Sequence, residues 1–257
     1  LNTLGLETTA LGFVAGFTGK AIEDGLAAQG IHTDFIHLPE GNSRINVKVK
    51  HGDETEINGQ GPVITEEAIN ELFAKLATLT KEDILVLAGS IPNTLPEDIY
   101  EKILARLESK GIRVVVDATK DLLLNVLKYH PFLIKPNNHE LGEMFGTVCK
   151  TDEDIVHYAK KLQEKGAVNV LISMAGDGAI LITEDGQNIK MGTPKGKVVN
   201  SVGAGDSMVA GFITGYIRGG NYEEALKSGT AAGSATAFSE GLASLEMYEK
   251  MLKQITE

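Results

Sequence analysis

Basic residues are few in this sequence, and their scarcity excludes one class of partner. The 257-residue chain carries 24 Lys and Arg against 35 Asp and Glu, which gives a formal charge of −11 at pH 7. Proteins that bind nucleic-acid backbones need a concentrated stripe of positive charge, and no run of Lys or Arg here exceeds two residues. We therefore expect no nucleic-acid partner.

Cysteine and long apolar runs are also scarce. Cys149 is the single cysteine, so an internal disulfide is excluded, which favours a reducing, cytoplasmic environment. The longest apolar segments, such as residues 84–88 and 114–116, are far shorter than the roughly 20 residues that cross a bilayer. We expect no membrane span. The fractions of 42% hydrophobic and 23% charged residues are typical of a compact globular protein.

From residue 65 onward, short β-branched segments alternate with longer segments of helical period. This alternation is typical of strand–helix–strand units and a mainly parallel sheet. Strands are predicted at residues 83–88, 112–117, 132–137 and 169–174, and helices begin near Thr65, Pro96 and Asp152. Beyond Gly203 the sequence predicts packed helices, rich in the small residues that let backbones approach closely. We predict one α/β domain over residues 1–257.

Residues 44–50 depart from this pattern, because apolar and polar side chains alternate strictly there. Such alternation predicts an antiparallel strand with one face in water. Together with residues 54–58 it predicts a small β-sheet lid within residues 32–62. The lid has an apolar side that invites burial against a second copy, so we expect a homodimer formed through the lid. The residues on that side are Ile45, Val47 and Val49.

The glycines that precede Asp206 predict an anion site. Gly203 and Gly205 permit close approaches that a Cβ atom forbids, so successive N–H groups can point into one concavity. Helical propensity resumes at once through Met208, and a helix N-terminus favours an anion. A carboxylate beside a phosphoryl group can take the proton from an attacking hydroxyl, which is the role predicted for Asp206. The alternative is that Asp206 only caps the helix after a flexible turn.

Asn137 and Glu140 supply oxygen ligands at the end of the strand predicted at 132–137. Mg²⁺ prefers oxygen and is usually held by one or two carboxylates together with substrate phosphates. The pair therefore predicts a magnesium site. The alternative is a capping box, in which Asn137 caps the next helix and Glu140 occupies its third position.

Residues 200–207, Asn-Ser-Val-Gly-Ala-Gly-Asp-Ser, resemble the C-terminal signature of the ribokinase/PfkB carbohydrate kinase family. Three further segments resemble family elements along nearly the whole chain: Gly-Ser-Ile-Pro at 89–92, Lys-Pro-Asn-Asn-His-Glu at 135–140 and Ser-Met-Ala-Gly-Asp-Gly-Ala at 173–179. The resemblance implies a ribokinase-like three-layer α/β/α sandwich with a mostly parallel central sheet and a small β lid.

The resemblance also implies roles for individual residues. Asp206 would be the catalytic base, and Gly203, Ala204 and Gly205 would form the anion hole. Asn137 and Glu140 would hold Mg²⁺ and its waters, and Ser90 would lie on the substrate side. The ATP co-substrate would be bound by Ser173, Gly176, Gly178, Asn200, Thr230 and Ser234.

The lid segments resemble the phosphosugar branch of this family. Arg44 would grip the phosphate already on the sugar through its guanidinium fork, and Lys48 would add positive charge on the same face of the strand. The alternative is that these cations only discourage edge-to-edge aggregation. The resemblance implies phosphorylation of fructose 1-phosphate at its 6-hydroxyl by Mg²⁺–ATP, with tagatose 6-phosphate as the alternative acceptor.

Two departures from the expected motifs limit these implications. Residues 12–21 superficially resemble a P-loop, but Val14 and Ala21 stand where Gly and a hydroxyl residue are required. We expect a strand-to-helix turn there, serving either the substrate lobe or packing alone. The family's upstream Asp and Gly-Gly-Lys-Gly segment are absent, and residue 1 is Leu. We therefore expect an N-terminal part to be missing, and a non-catalytic phosphosugar-binding protein is the alternative function.

Overall fold

A computed structural model of the chain describes residues 1–51, 53–89 and 91–256, with the backbone alone at positions 48, 50, 51, 53, 54, 56, 120 and 256. The strands are β1 (Thr9–Ala10), β2 (Phe13–Ala15), β3 (His32–Thr33), β4 (Ile36–Leu38), β5 (Asn46–His51), β6 (Asp53–Asn58), β7 (Ile84–Ala88), β8 (Arg113–Asp117), β9 (Leu133–Ile134), β10 (Asn169–Ser173), β11 (Ala179–Ile182) and β12 (Asn188–Met191). The helices are α1 (Gly16–Ala28), α2 (Glu66–Leu76), α3 (Ile99–Leu107), α4 (Lys120–Val126), α5 (Asn138–Met144), α6 (Asp152–Glu164), α7 (Ala204–Gly219), α8 (Tyr222–Ala237) and α9 (Leu245–Thr256).

A central sheet of six strands organises the fold in the order β12-β11-β10-β9-β8-β7. The strands from β7 to β10 are parallel, whereas β11 and β12 pair antiparallel at one side. This arrangement confirms the α/β class and the mostly parallel central sheet. The chain between successive parallel strands forms helices that cover the sheet, and α7 and α8 follow the last strand.

Alternate residues of the strands face two different cores, because successive side chains of a strand point to opposite faces of a sheet. On β8, Val114 and Val116 pack with residues of α2, α3 and α6. Val115, between them, packs instead with Phe212 and Leu226 of α7 and α8. Two helical layers therefore enclose the sheet, which confirms the three-layer sandwich.

The strand predicted at residues 132–137 is shorter than expected, because β9 covers only Leu133–Ile134. Pro136 has no N–H group to donate to a ladder, although its carbonyl oxygen still accepts the N–H of Ser173 at 3.2 Å. The other predicted strands agree with β7, β8 and β10 to within one residue at each end. Helix α3 begins at Ile99, three residues after Pro96.

The lid is a two-stranded antiparallel sheet in which β5 pairs with β6 from Asn46↔Asn58 to His51↔Asp53. Ile45, Val47 and Val49 are exposed, as the lid prediction requires. The lid is shorter than the predicted range of 32–62, because β3 and β4 lie outside it. These two strands pair in parallel with β1 and β2, respectively.

Helices α7 and α8 approach closely enough to exclude side chains at their contact. A Cβ atom on Gly211 would overlap the carbonyl oxygen of Ser228 and lie 2.7 Å from the Ala232 Cβ. A Cβ atom on Gly215 would overlap the carbonyl oxygen of Glu224 in the same way. The small residues beyond Gly203 therefore serve helix packing, as predicted. Within the described ranges, no helix is both long and apolar enough to cross a membrane.

Candidate active site

Four parallel strands end at one edge of the central sheet, and polar side chains lie at or just beyond three of these ends. Gly89 follows β7, Asp117 ends β8, Asn137 lies just beyond β9, and Ser173 ends β10. Adjacent strands lie about 4.8 Å apart, so this row spans roughly 14 Å. Carboxyl ends of parallel strands are where α/β folds bind ligands, and the row is long enough to contact two neighbouring substrates.

A buried ion pair joins the ends of two neighbouring strands at this edge. The Lys135 Nζ lies 3.2 Å from Oδ1 of Asp117, and the two side chains are only 8% and 17% exposed. Burial raises the pKa of the Asp117 carboxyl above its usual range; Lys135 opposes this shift, and the charges of Asp206 and Glu140 add to it. The carboxylates of Asp206 and Glu140 therefore both act on the Asp117 carboxyl, which is paired with the buried ammonium group.

Neither Asp117 nor Lys135 is assigned a role from the sequence alone. Asp117 ends a predicted strand, and Lys135 stands in the segment that resembles a family motif. Both positions indicate a paired charge, because a charged residue at the end of a buried strand needs a partner. The pairing itself depends on β8 lying next to β9, which the sequence does not reveal.

The anion site is predicted at the residues that begin α7. Gly203 precedes the helix with a left-handed φ of +78°, and no side chain caps this described helix end. Helices α1, α3 and α4 also begin without a side-chain cap from the preceding residue, whereas Thr65 caps α2 and Asn221 caps α8 through their side chains. The first-turn N–H groups of α7 thus lack a side-chain acceptor, which suits an external anion.

Lys135 lies directly against this first turn. A Cβ atom on Gly205 would lie 3.1 Å from the Lys135 Nζ, and the Cα–Cβ bond of a helical residue tilts toward the helix N-terminus. The ammonium group therefore adds positive charge near Gly205 in the first turn of α7. Asp206 lies in the same turn and is exposed, so a ligand can reach its carboxylate.

Asn137 and Glu140 form the capping box that was the alternative to a metal site. The Asn137 Oδ1 accepts the N–H groups of His139 at 2.9 Å and Glu140 at 2.8 Å, while Glu140 Oε2 accepts the N–H of Asn137 at 2.8 Å. The described residues contain no group of three His, Cys, Asp or Glu side chains arranged for a metal ion. The second carboxylate oxygen of Glu140 lies outside the capping box, an arrangement that nevertheless fits Mg²⁺ held mainly by waters and phosphates.

The segment predicted to bind the nucleotide is a tight 3-10 turn at Ala175–Asp177, between β10 and β11. Thr193 supports the turn by donating its hydroxyl to the Gly176 carbonyl oxygen at 2.8 Å. Gly178 has a φ of +93°, and a Cβ atom there would overlap the carbonyl oxygen of Met191. Gly178 is therefore needed for backbone packing, whereas Ser173 is half-buried at the strand end.

The other residues that are predicted to bind the nucleotide lie in defined places within the protein. Asn200 donates to the Glu240 carbonyl oxygen at 3.0 Å and accepts the N–H of Val202 at 3.2 Å, which fixes the loop before α7. Ser234 and Thr230 are buried in α8, and the Thr230 hydroxyl lacks a hydrogen-bond partner among the described groups. Their contact with a nucleotide stays a prediction.

The base of the lid is anchored to the junction of β2 and α1. The buried Ser43 accepts the Ala15 N–H at 3.0 Å through its hydroxyl and the Thr18 hydroxyl at 2.8 Å through its carbonyl oxygen. Arg44 follows and is exposed. The predicted substrate residue Ser90 and the side chain of Lys48 lie outside the described residues.

Residues 12–21 form the expected strand-to-helix turn. Gly16 begins α1 with a φ of +57°, and a Cβ atom there would overlap the side chain of Asn42. The Asn42 Oδ1 accepts the N–H of Phe17 at 3.2 Å. The close packing against Asn42 therefore explains why position 16 is a glycine.

The pfkB family carbohydrate kinase model matches residues 1–247. A Bacillus subtilis 1-phosphofructokinase is 50% identical over 250 residues, covering 97% of this chain and 82% of the relative. A Bacillus licheniformis D-tagatose-1-phosphate kinase is 39% identical over 256 residues, covering 99% and 84%. A Staphylococcus aureus structure provisionally named a phosphofructokinase superposes with a TM-score of 0.91 at 46% identity, covering 98% and 82%. The chain belongs to the pfkB family of carbohydrate kinases.

Proposed function

We propose that this chain transfers the terminal phosphoryl group of Mg²⁺–ATP to the 6-hydroxyl of fructose 1-phosphate. The observation that carries the proposal is the position of Asp206 in the uncapped first turn of α7, next to the buried Lys135. This arrangement sets a proton acceptor beside a site for an anion. The choice of acceptor is supported by the 50% identity to the Bacillus subtilis relative, which is named 1-phosphofructokinase.

In the proposed reaction the 6-oxygen attacks the terminal phosphorus while the bond from that phosphorus to the leaving ADP oxygen breaks. Asp206 accepts the hydroxyl proton as the attack proceeds. The N–H groups of residues 203–205 and the Lys135 ammonium stabilise negative charge on the transferring group. Bound Mg²⁺ supplies charge neutralisation on the phosphates, and Glu140 with Asn137 would hold its water shell.

Arg44 is proposed to bind the 1-phosphate of the sugar. It is exposed at the base of the lid, next to the hydrogen-bonded Ser43. A guanidinium group can contact a phosphate through two parallel hydrogen bonds. Since the whole chain carries a charge of −11, a local cation is needed to attract an anionic sugar.

Asp206→Asn tests the proposed base while it preserves the size of the side chain. Removing a general base costs about 10²–10⁴-fold in rate, so we expect kcat on fructose 1-phosphate to fall by that factor without a change in melting temperature. A variant that keeps most of its turnover would show that another group accepts the proton. If the wild-type protein binds fructose 1-phosphate in calorimetry but turns over no ATP, the non-catalytic alternative is correct.

A second candidate acceptor is D-tagatose 1-phosphate, because a relative at 39% identity is named for it. It differs from fructose 1-phosphate in configuration at C4 and has the same reacting end. Tagatose 6-phosphate, the alternative from the sequence, has its phosphate and reacting ends exchanged. Comparing kcat/KM for the three sugars identifies the acceptor, and we expect fructose 1-phosphate to have the highest value.

We further propose that the protein is a homodimer formed through the lid and acts in the cytoplasm. Ile45, Val47, Val49 and Ile57 are all exposed on or beside the two lid strands. An exposed apolar row on a two-stranded sheet favours pairing with a second copy. Light scattering at micromolar concentration should give twice the chain mass of 27.4 kDa; a monomer would contradict the lid interface.

A further inference from the structure

Asp117 contacts the turn at Gly89 and the side chain of Lys135 through two different groups. Its carbonyl oxygen accepts the N–H of Gly89 at 3.1 Å, across from β8 to the end of β7. Its carboxylate lies 3.2 Å from the Lys135 Nζ, toward β9 on the other side. One residue therefore holds the turn that leads to position 90 and the lysine beneath the anion site.

The turn after β7 is fixed from a second side by Tyr100. The Tyr100 hydroxyl donates to the Ala88 carbonyl oxygen at 2.9 Å, and the Gly89 carbonyl oxygen lies 3.4 Å from it. Gly89 has a φ of +84°, a conformation that side-chain-bearing residues rarely adopt. The negative charge of Asp117 also contributes to raising the pKa of Tyr100, after the larger effect of burial. Tyr100 and Asp117 thus border the same turn.

A buried ion pair is weak evidence of a role in stability alone. Replacing a buried ion pair by apolar groups of similar volume is often neutral or stabilising. The Lys135 side chain instead extends beneath α7, where a Cβ atom on Gly205 would lie 3.1 Å from the Nζ and 3.6 Å from the Cε. The Asp117 carboxylate is the described partner that holds the ammonium group in this position.

We propose that Asp117 is a positioning residue, which aligns the turn at Gly89 with the anion site at residues 203–205 through its carbonyl oxygen and through Lys135. The inference rests on the proposed function, because it concerns the alignment of the acceptor sugar with the phosphoryl donor. Neither contact requires Asp117 to touch a substrate.

A double-mutant cycle on the full-length chain tests this role, using Asp117→Asn, Lys135→Met and the two combined. Both changes keep side-chain volume, and Asp117→Asn keeps the backbone contact to Gly89. Misplacement of a reacting group by about 1 Å costs on the order of 10²-fold in rate. We expect Asp117→Asn to lower kcat by about that factor with KM for the sugar changed less than about threefold.

The combined variant distinguishes positioning from a purely structural role. If Asp117 acts through Lys135, the combined variant loses no more kcat than Lys135→Met alone, because effects on one shared element are not additive. If the losses in kcat of the two single variants multiply in the combined variant, the inference is overturned. An Asp117→Asn protein with the wild-type kcat would also overturn it. Recovery of both melting temperature and kcat in the combined variant would show that the ion pair is structural only. Glu101→Gln is the matched control, since it breaks the 2.8 Å ion pair to Lys128 outside the site.

Binding measurements separate this inference from the proposed function. Turnover of fructose 1-phosphate by the wild type tests the function alone. Calorimetry with AMP-PNP and AMP tests the position of Lys135 even if no sugar is phosphorylated. We expect Asp117→Asn to weaken AMP-PNP binding at least tenfold with AMP binding unchanged. Equal affinities of variant and wild type for AMP-PNP would overturn the inference.

Discussion

Replacing Gly205 with Ala should separate the stability of α7 from the activity of the site. Gly205 is the second residue of α7, and its φ lies outside the left-handed region, so Ala fits the backbone. Ala is favoured over Gly in a helix by up to about 1 kcal/mol. In a chain of this size, that gain raises the melting temperature by roughly 2–4 °C.

The new methyl group would meet Lys135. It would lie 3.1 Å from the Nζ, which is closer than ordinary van der Waals contact, so the ammonium group must move by a few tenths of an ångström. The ammonium group is held by the 3.2 Å ion pair with Asp117, so its movement changes the geometry of this pair. Since a misplacement of about 1 Å costs about 10²-fold in rate, this smaller shift should lower kcat by about tenfold.

Gly25→Ala is the matched control, because it makes the same substitution inside α1, where nothing lies within 4 Å of the added Cβ. Thermal melts and steady-state kinetics on wild type, Gly25→Ala and Gly205→Ala complete the comparison. Both variants should melt at or above the wild-type temperature, and only Gly205→Ala should lose kcat. A Gly205→Ala protein with kcat within twofold of wild type would refute the placement of Lys135 in the mechanism.

Three further perturbations test other parts of the structure. Gly211→Ala should destabilise the protein by about 1–3 kcal/mol in urea unfolding, because its Cβ would overlap a carbonyl oxygen of α8. Burial, and then the hydrogen bond to Glu184, raise the pKa of Tyr222. Its contribution to stability is therefore complete below about pH 10 and is lost as pH rises further. The Tyr222→Phe variant has no hydroxyl to titrate, so its stability lacks this dependence on pH. The difference in unfolding free energy between wild type and variant, measured in urea, should therefore narrow between pH 8 and 10.5. Chelating Mg²⁺ should weaken AMP-PNP binding at least tenfold in calorimetry, and an unchanged affinity would contradict the magnesium site.

The sequence predicts three of the central strands well. The apolar runs at β7, β8 and β10 are short and rich in β-branched or aliphatic residues, as buried strands are, and each boundary agrees to within one residue. The exception is β9, which ends before Pro136 because proline cannot donate to the ladder. The strict alternation at residues 44–50 likewise predicts the lid, in which β5 covers Asn46–His51.

The site is only partly predictable, because its charges depend on which strands are neighbours. Asp206 and its glycines form a continuous segment, so their local chemistry is visible in the sequence. Asp117 and Lys135 are 18 positions apart in the numbering of the chain, and only the parallel pairing of β8 with β9 brings them together. Periodicity shows where a strand ends but does not show the order of the strands in the sheet.

The two sequence interpretations of Asn137 and Glu140 are compatible. The capping box uses Oδ1 of Asn137 and one carboxylate oxygen of Glu140, so the other carboxylate oxygen is not needed for it. The capping box also aims Glu140 back toward the strand end, near Asp117 and Asp206. Because Asp117 is paired with Lys135, the charges of Asp206 and Glu140 remain, and they outweigh the partial positive charge of the α7 N-terminus, which is about half a unit. Without a divalent cation this edge would repel a triphosphate, so we expect the nucleotide to bind as its magnesium complex, with Glu140 oriented by the same hydrogen bonds that begin α5.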